Sequence, residues 1–201
     1  MRTQRSRWAL ATLSAAVLLL GLGYVLPWYE FKQSPGAPVA PESGSNETAD
    51  PEDQYYLPFR MTGDLSDEDR QAGVKRVAIL GWITVAATGL LLITLVLEIA
   101  IGTMEGSRWP LMASAFLGFV ATCLALAWTY YQLPGALAHE GVTKAFTHYR
   151  ADGDVIRTTV GWGFIAASLS LAMTAAFVAF KFATGLQDPA AVQEFVDEDP
   201  D

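Results

Sequence analysis

The sequence is poor in cysteine and in basic residues. Its 201 residues include one cysteine, Cys123, so no disulfide can form within the chain. Only 13 lysines and arginines stand against 21 acidic residues, which gives a formal net charge of −8. Because nucleic-acid binding depends on clustered basic residues that neutralise phosphates, this composition argues against a nucleic-acid partner. Without disulfides, the fold relies on packing and hydrogen bonds.

Charged residues are also missing from four long stretches of the chain. Hydrophobic residues make up 52% of the sequence and charged residues 17%. The stretches are 8–26, 77–101, 109–131 and 158–180, and Glu98 is the one formal charge inside them. A helix of about 20 apolar residues spans the hydrocarbon core of a bilayer. The sequence therefore predicts an all-α transmembrane protein with four spans. The first partner that we expect for it is the lipid bilayer.

The first stretch also has the basic start of a secretory signal sequence, in Arg2, Arg5 and Arg7. Its apolar run is longer than a typical signal core, and Leu26-Pro27-Trp28-Tyr29-Glu30 lacks a small-x-small cleavage pattern. We therefore predict that 8–26 is retained as a membrane helix.

The same arginines predict that the N-terminus, 1–7, is cytoplasmic. An even number of spans then places the acidic tail, 181–201, on the same side, together with a short turn at 102–108. The two outer loops hold eight basic residues against five on the inner side, which opposes this orientation. We expect a multi-pass protein of a plasma membrane or a bacterial inner membrane, with both termini cytoplasmic.

Both predicted outer loops contain strand-forming segments. In loop 27–76, aromatic runs at 28–32 and 54–61 flank a flexible linker, 34–53, that is rich in proline and polar residues. Loop 132–157 contains Asp-Gly between two mixed apolar runs, which is a hairpin signal. We therefore predict a small β-structured extracytoplasmic cap on a four-helix bundle. The aromatic residues expected to contact the membrane surface or a partner are Trp28, Tyr29, Phe31, Tyr55 and Tyr56.

The end of the first outer loop favours an early start for the second helix. Ser66 followed by Asp69 resembles a capping box, so we expect this helix to begin outside the lipid. The acidic cluster 64–69 also resembles a calcium loop, but it lacks the glycine and the terminal glutamate of that motif. Earlier in the loop, Asn46-Glu47-Thr48 fits the acceptor pattern for N-glycosylation.

The segment Thr159-Val160-Gly161-Trp162-Gly163-Phe164 begins the fourth span, and Trp28 directly follows the first. With the long first loop, the tight middle turn and the shorter second loop, these residues resemble the claudin and peripheral-myelin-protein type of tetraspan protein. The resemblance implies a four-helix bundle under a small β-structured cap. The first loop lacks that family's Trp…Gly-Leu-Trp…Cys…Cys signature, so its stapled sheet and junction function are not carried over.

Few residues have the placement that catalysis or metal binding requires. His139 and His148 lie together in the second outer loop, without cysteine or a closely spaced carboxylate pair, so we predict no metal and no cofactor. The spans contain no pair of residues suited to hydrolysis. Glu98 is the one polar candidate, and its position near a helix end favours an interfacial carboxylate opposite Arg108 over an ion site.

Three features predict contact surfaces. Ser168, Ala172 and Ala176 form a stripe of small residues that allows close helix packing, with packing inside the monomer as the default and packing against another protein as the alternative. In the tail, Phe195 shares a face with two valines, as expected for a short helix that is either frayed or docked on a partner. Tryptophans near the span ends are typical interfacial anchors, and they are Trp8, Trp82, Trp109, Trp128 and Trp162.

Two functions are compatible with this pattern. The favoured one is a non-catalytic four-span membrane protein that acts as an accessory or scaffolding subunit, or that associates laterally with itself. The alternative is a small channel or transport element that uses Glu98 as its polar site. The two differ in whether replacing this carboxylate abolishes ion flux.

Overall fold

The computed structural model describes residues 2–34, 52–63, 67–101, 109–134, 146–151 and 154–185. This part of the chain is mostly helical and also contains a small antiparallel sheet. Several sequence predictions fall outside the described residues. They are most of the linker 34–53 with Asn46, the capping residue Ser66, the turn 102–108 with Arg108, His139, and the tail with Phe195.

Four long helices account for most of the described residues. They are α1 (Arg2–Leu22), α2 (Asp67–Ile101), α3 (Trp109–Gln132) and α4 (Trp162–Gly185). Of these, α2, α3 and α4 are long and apolar enough to cross a membrane, whereas the apolar part of α1, Arg7–Leu22, is shorter. Three helices of this length and apolar composition are typical of an integral membrane protein.

The helix ends differ from the predicted spans for local reasons. Helix α1 stops at Leu22 because glycine and proline follow, and the next residues form turns in which the Gly23 N–H donates to the Leu20 carbonyl oxygen at 3.0 Å. Helix α2 begins at Asp67, ten residues before its predicted apolar span, so the expectation of an early start is correct. Helix α4 begins at Trp162 because the preceding residues form a strand.

The helices pack in a closed ring. Each helix contacts the next one along the chain, and α4 returns to contact α1. The interior contains buried leucines, such as Leu13, Leu80 and Leu91, together with several buried serine and threonine hydroxyls. Most of these hydroxyls donate to a backbone carbonyl of their own helix, whereas Ser170 donates to Ala16 of α1 at 2.7 Å. A polar group in an apolar interior needs such a partner.

The sheet combines strands from both loops. The strands are β1 (Tyr29–Ser34), β2 (Glu52–Leu57), β3 (Arg60–Gly63), β4 (Thr147–Ala151) and β5 (Asp154–Val160). Their order is β3-β2-β1-β5-β4, and all neighbours are antiparallel. The central strand β1 pairs with β2 of its own loop and with β5 of the other loop. The prediction of a small sheet built from 28–32, 54–61 and the hairpin of the second loop is confirmed.

One strand prediction was wrong in detail. Residues 54–61 were expected to form one strand, but they form β2 and the start of β3, joined by a turn at Pro58 and Phe59. Proline has no N–H to donate to a sheet, and a proline followed by a residue with positive φ is typical of a tight turn. Phe59 has a φ of 64°, which is unusual for a bulky residue. The Leu57 and Arg60 pair closes this hairpin.

Candidate functional site

Trp28 joins the end of α1 to the sheet and to α4. Its side chain is fully buried, and its indole N–H donates to the Gly23 carbonyl oxygen at 2.6 Å. Its backbone N–H donates to the Tyr56 carbonyl oxygen at 2.8 Å, and its carbonyl oxygen accepts from the Gly161 N–H at 2.9 Å. One residue therefore connects three parts of the fold that are far apart in the sequence.

The glycines at the start of α4 allow this close approach. The Gly163 N–H donates to the Pro27 carbonyl oxygen at 2.7 Å. A Cβ atom at Gly163 would lie 2.6 Å from the Leu26 carbonyl oxygen and even closer to the Trp28 ring, and one at Gly161 would collide with the Pro27 carbonyl. A side chain at either position would therefore push α4 away from the segment that follows α1.

Most of the aromatic residues predicted as contact residues are buried in or beside the sheet. Trp28, Tyr29, Phe31 and Tyr56 are all fully buried. The Tyr29 and Tyr56 rings meet edge to face, with centroids 5.7 Å apart. Within the chain these side chains stabilise the packing of the sheet, and their role in contacting a partner stays a prediction.

Tyr55 is the fifth of these residues, and it is only half-buried. Its hydroxyl donates to a carboxylate oxygen of Asp53 at 3.2 Å, and the ammonium of Lys32 lies 5.9 Å from its ring centroid. Burial of the phenol, and then the negative charge of Asp53, raises the pKa of Tyr55. Tyr55 is thus the one member of the predicted set with surface available for contact.

The turn between β2 and β3 docks on α2. The Phe59 N–H donates to the Val77 carbonyl oxygen at 3.0 Å, and the Phe59 ring lies over Gly81, where a Cβ atom would be 2.5 Å from the ring. The same ring meets Trp82 edge to face at 5.5 Å. Sequence reasoning missed this contact, although Pro58 and the adjacent glycine and tryptophan of α2 were its visible signals.

The predicted tryptophan anchors divide into two groups. Four of them, Trp8, Trp82, Trp109 and Trp162, are exposed on the helix surfaces, as an interfacial anchor must be. Trp128 is half-buried instead, and its indole N–H donates to the Arg76 carbonyl oxygen at 3.0 Å. Trp128 therefore contributes to packing between α3 and α2.

The small-residue stripe of α4 faces outward over most of its length. Ser168 is half-buried, and its hydroxyl donates to the Phe164 carbonyl oxygen at 2.9 Å, whereas Ala172 and Ala176 are exposed. The inner face of α4 is formed by other residues, such as Ala167 and Thr174. We name the exposed set the α4 alanine face, and it consists of Ala172, Ala175, Ala176, Ala179 and Ala183. Packing inside the monomer, which was the default expectation, does not use this face.

Glu98 forms an ion pair across the bundle. Its side chain is 4% exposed, and one carboxylate oxygen lies 2.5 Å from the Lys181 ammonium of α4. The Lys181 ammonium also lies 5.8 Å from the Phe177 ring centroid. The second carboxylate oxygen of Glu98 is buried and makes no hydrogen bond to any described residue. Glu98 was expected at the interface opposite Arg108, and sequence reasoning did not identify Lys181 as its partner.

Within the described ranges, no group of three or more His, Cys, Asp or Glu residues is placed to hold a metal ion. His148 lies on β4, and His139 lies outside the described residues.

No protein-family model matches this sequence, and none of the curated proteins matches it. The functional reading therefore depends on the geometry of the chain itself.

Proposed function

We propose that this chain is a four-pass integral membrane protein in which α1 crosses the bilayer together with α2, α3 and α4. The apolar part of α1, Arg7–Leu22, corresponds to about 24 Å at about 1.5 Å per residue, and the apolar residues 23–26 extend it toward the sheet. It closes the ring of helices by contacting both α2 and α4. A helix with two apolar neighbours in the ring is best accommodated at the same depth as they are.

The aromatic residues of α3 support this placement. Trp109 is 78% exposed near one end of the helix, and Tyr131 is 71% exposed near the other. They lie about 33 Å apart along the helix axis, at about 1.5 Å per residue. The hydrocarbon core of a bilayer is about 30 Å thick, so both rings would reach the interfaces that tryptophan and tyrosine prefer.

The pairing of β1 with β5 supports the proposed topology. These strands belong to different loops, and they can pair only when both loops lie on the same side of the membrane. The orientation that agrees with the arginines before α1 puts the sheet outside and both termini in the cytoplasm. The resulting arrangement, four helices under a sheet built from both loops, has the architecture that the claudin-type resemblance implies.

We propose that the chain has a non-catalytic role in the membrane. It associates laterally with another helix through the α4 alanine face. The observation that carries this role is the outward direction of Ala172, Ala175, Ala176 and Ala179, which the bundle itself does not use. Alanines three and four residues apart let a second helix approach closely, and van der Waals packing then stabilises the pair in lipid. The second helix belongs to another subunit of a membrane assembly or to a second copy of this chain.

The test compares two leucine variants of the full chain. Ala176→Leu changes the α4 alanine face, and Ala86→Leu makes the same change at an exposed position of α2 as the matched control. The chain is extracted in mild detergent, and the fractions of monomer, homo-oligomer and hetero-complex are measured by native mass spectrometry. We expect Ala176→Leu to weaken association by about 1 kcal/mol, roughly fivefold, and Ala86→Leu to leave it unchanged.

Four outcomes are informative. Loss of a homo-oligomer identifies a second copy as the partner, and loss of a hetero-complex identifies a foreign subunit. An equal effect of both variants, or a wild-type chain that is monomeric in its native membrane, would show that the α4 alanine face is not an association surface.

A further inference from the structure

Three exposed aromatic side chains meet beside the C-terminal end of α3. Tyr130 and Tyr131 belong to the last turn of α3, and Phe146 directly precedes β4. The Tyr130 ring centroid lies 5.0 Å from the Tyr131 centroid, at an interplanar angle of 80°, and 6.3 Å from the Phe146 centroid, at an angle of 57°. The rings are steeply inclined to one another, and we name these three residues the aromatic corner.

The aromatic corner is open to a ligand. Tyr130 is 38% exposed, Tyr131 71% and Phe146 58%. The face of an aromatic ring carries partial negative charge, so it attracts a cation that lies within about 6 Å of the ring centroid. Because the three rings are neighbours, one cation can contact more than one of them. Several inclined aromatic faces are the arrangement by which proteins recognise quaternary ammonium groups.

Arg76 places a positive charge beside the aromatic corner. Its guanidinium donates to the Gln132 carbonyl oxygen at 2.7 Å, and Gln132 directly follows Tyr131. Arg76 makes no ion pair with any described residue, and a guanidinium has five N–H groups, so donors remain for an anion. The next residue, Lys75, is exposed. Neither of the two has an acidic residue within four positions along α2, the range of neighbours on a helix surface.

The aromatic corner and Arg76 share one depth in the four-pass arrangement. The apolar span of α2 begins at Val77, which directly follows Arg76. The Trp128 indole N–H of α3 donates to the Arg76 carbonyl oxygen at 3.0 Å, so the two helices are in contact at this level. Tyr131 lies at the same end of α3. A cation-binding surface beside an arginine is complementary to a zwitterionic head group, in which a phosphate and an ammonium group are neighbours.

We propose that the aromatic corner and Arg76 bind the head group of one phosphatidylcholine molecule, in the leaflet next to the sheet. The trimethylammonium group lies against the rings, and the phosphate oxygens accept hydrogen bonds from the guanidinium. The proposal rests on the four-pass arrangement and is independent of association through the α4 alanine face.

The experiment uses the full chain in nanodiscs that contain equal shares of phosphatidylcholine and phosphatidylglycerol with the same acyl chains. Native mass spectrometry of the released chain measures the ratio of the two bound lipids. Tyr131→Leu removes the most exposed ring of the aromatic corner, and Tyr131→Phe keeps that ring. Trp162→Leu is the matched control, because Trp162 is an exposed aromatic residue at the start of α4, on the same side of the membrane.

We expect the wild-type chain to retain phosphatidylcholine over phosphatidylglycerol roughly twofold to fivefold. A basic surface alone would favour the opposite order, because phosphatidylglycerol has a net negative charge. Tyr131→Leu should abolish the preference, whereas Tyr131→Phe and Trp162→Leu should keep it. Arg76→Gln should reduce the amounts of both bound lipids, since both have a phosphate.

The opposite results overturn the proposal. Equal retention of the two lipids by the wild type, or an excess of phosphatidylglycerol, would show that the aromatic corner does not bind the choline group. Equal changes in Tyr131→Leu and Trp162→Leu would show only a general effect of interfacial aromatic surface. A chain that enters the nanodiscs without a lipid preference refutes this site alone, whereas a chain that does not enter them refutes the four-pass arrangement as well.

Discussion

Replacing Gly163 with alanine should destabilise the protein, although alanine is normally the better residue in a helix. The new methyl group would lie 2.6 Å from the Leu26 carbonyl oxygen and would press on the Trp28 ring, which is fully buried. Neither neighbour is free to move, because the indole N–H is bonded to Gly23 and the Pro27 carbonyl oxygen accepts the Gly163 N–H. The structure can respond only by moving the start of α4.

The size of the effect follows from two opposing terms. Overpacking of a closely packed site costs about 1–3 kcal/mol. The higher helix propensity of alanine returns at most about 1 kcal/mol in a helix interior, and less in the first turn, where Gly163 lies. We therefore expect a net loss of about 1–2 kcal/mol, which for a chain of this size lowers Tm by about 2–8 °C.

Gly89 provides the matched control, because a Cβ atom there would meet nothing within 4 Å. The same substitution, Gly89→Ala, should leave stability unchanged or raise it by up to about 1 kcal/mol. Thermal unfolding of both variants in one detergent, followed by size-exclusion chromatography, measures the difference. If Gly163→Ala unfolds at the wild-type temperature or above it, the close approach of α4 to Trp28 is not required by the fold.

Two further predictions concern the Phe59 turn and the ion pair. Phe59 has a φ of 64°, a conformation that glycine adopts freely and alanine does not. Phe59→Gly should therefore be more stable than Phe59→Ala by about 1 kcal/mol. Thermal unfolding compares the two variants, and equal stability would argue against backbone strain at this position. Glu98→Gln should lower stability by about 1–3 kcal/mol because it removes the negative charge from a buried ion pair with Lys181. The double variant with Lys181→Met should regain part of this loss. If Glu98→Gln instead abolishes ion flux through liposomes and leaves stability unchanged, the channel alternative replaces the role proposed here.

The sequence allowed the helices and strands to be predicted where the signal is local. The apolar runs of α2, α3 and α4 are long enough that their helical structure follows from length and composition. The Asp-Gly pair between β4 and β5 identified a hairpin through its turn preference. The aromatic runs 28–32 and 54–61 indicated strands because aromatic side chains favour a pleated, half-buried surface.

The faces of the helices could not be predicted in the same way. In a membrane helix both the lipid-facing side and the inner side are apolar, so the pattern that separates them in a soluble protein is weak. Ala172 and Ala167 look alike in the sequence, yet one faces outward and the other is fully buried. The direction of each depends on the ring of helices as a whole.

The partners of single polar and aromatic residues were also beyond sequence reasoning. Glu98 and Lys181 are far apart in the chain and meet only when α2 and α4 are in place. Trp28 was noticed, but its bonds to Gly23, Tyr56 and Gly161 come from three separate segments. The burial of the sheet aromatics likewise depends on strand pairing, which local preference does not determine.

The pairing of β1 with β5 determines when the sheet can be completed during synthesis. The ribosome releases β1 soon after α1, whereas β5 is released late, just before the last helix. Tyr29 therefore cannot pair with Val160 until most of the chain has been synthesised. Until then the free edge of β1 is open to pairing with other chains, as unpaired strand edges are in partly folded proteins. Because β5 directly precedes α4, the sheet can be completed only when the final helix is being synthesised. In the proposed four-pass arrangement, a chain in which only one of the two middle helices entered the membrane would carry β1 and β5 on opposite sides and would keep the open edge of β1.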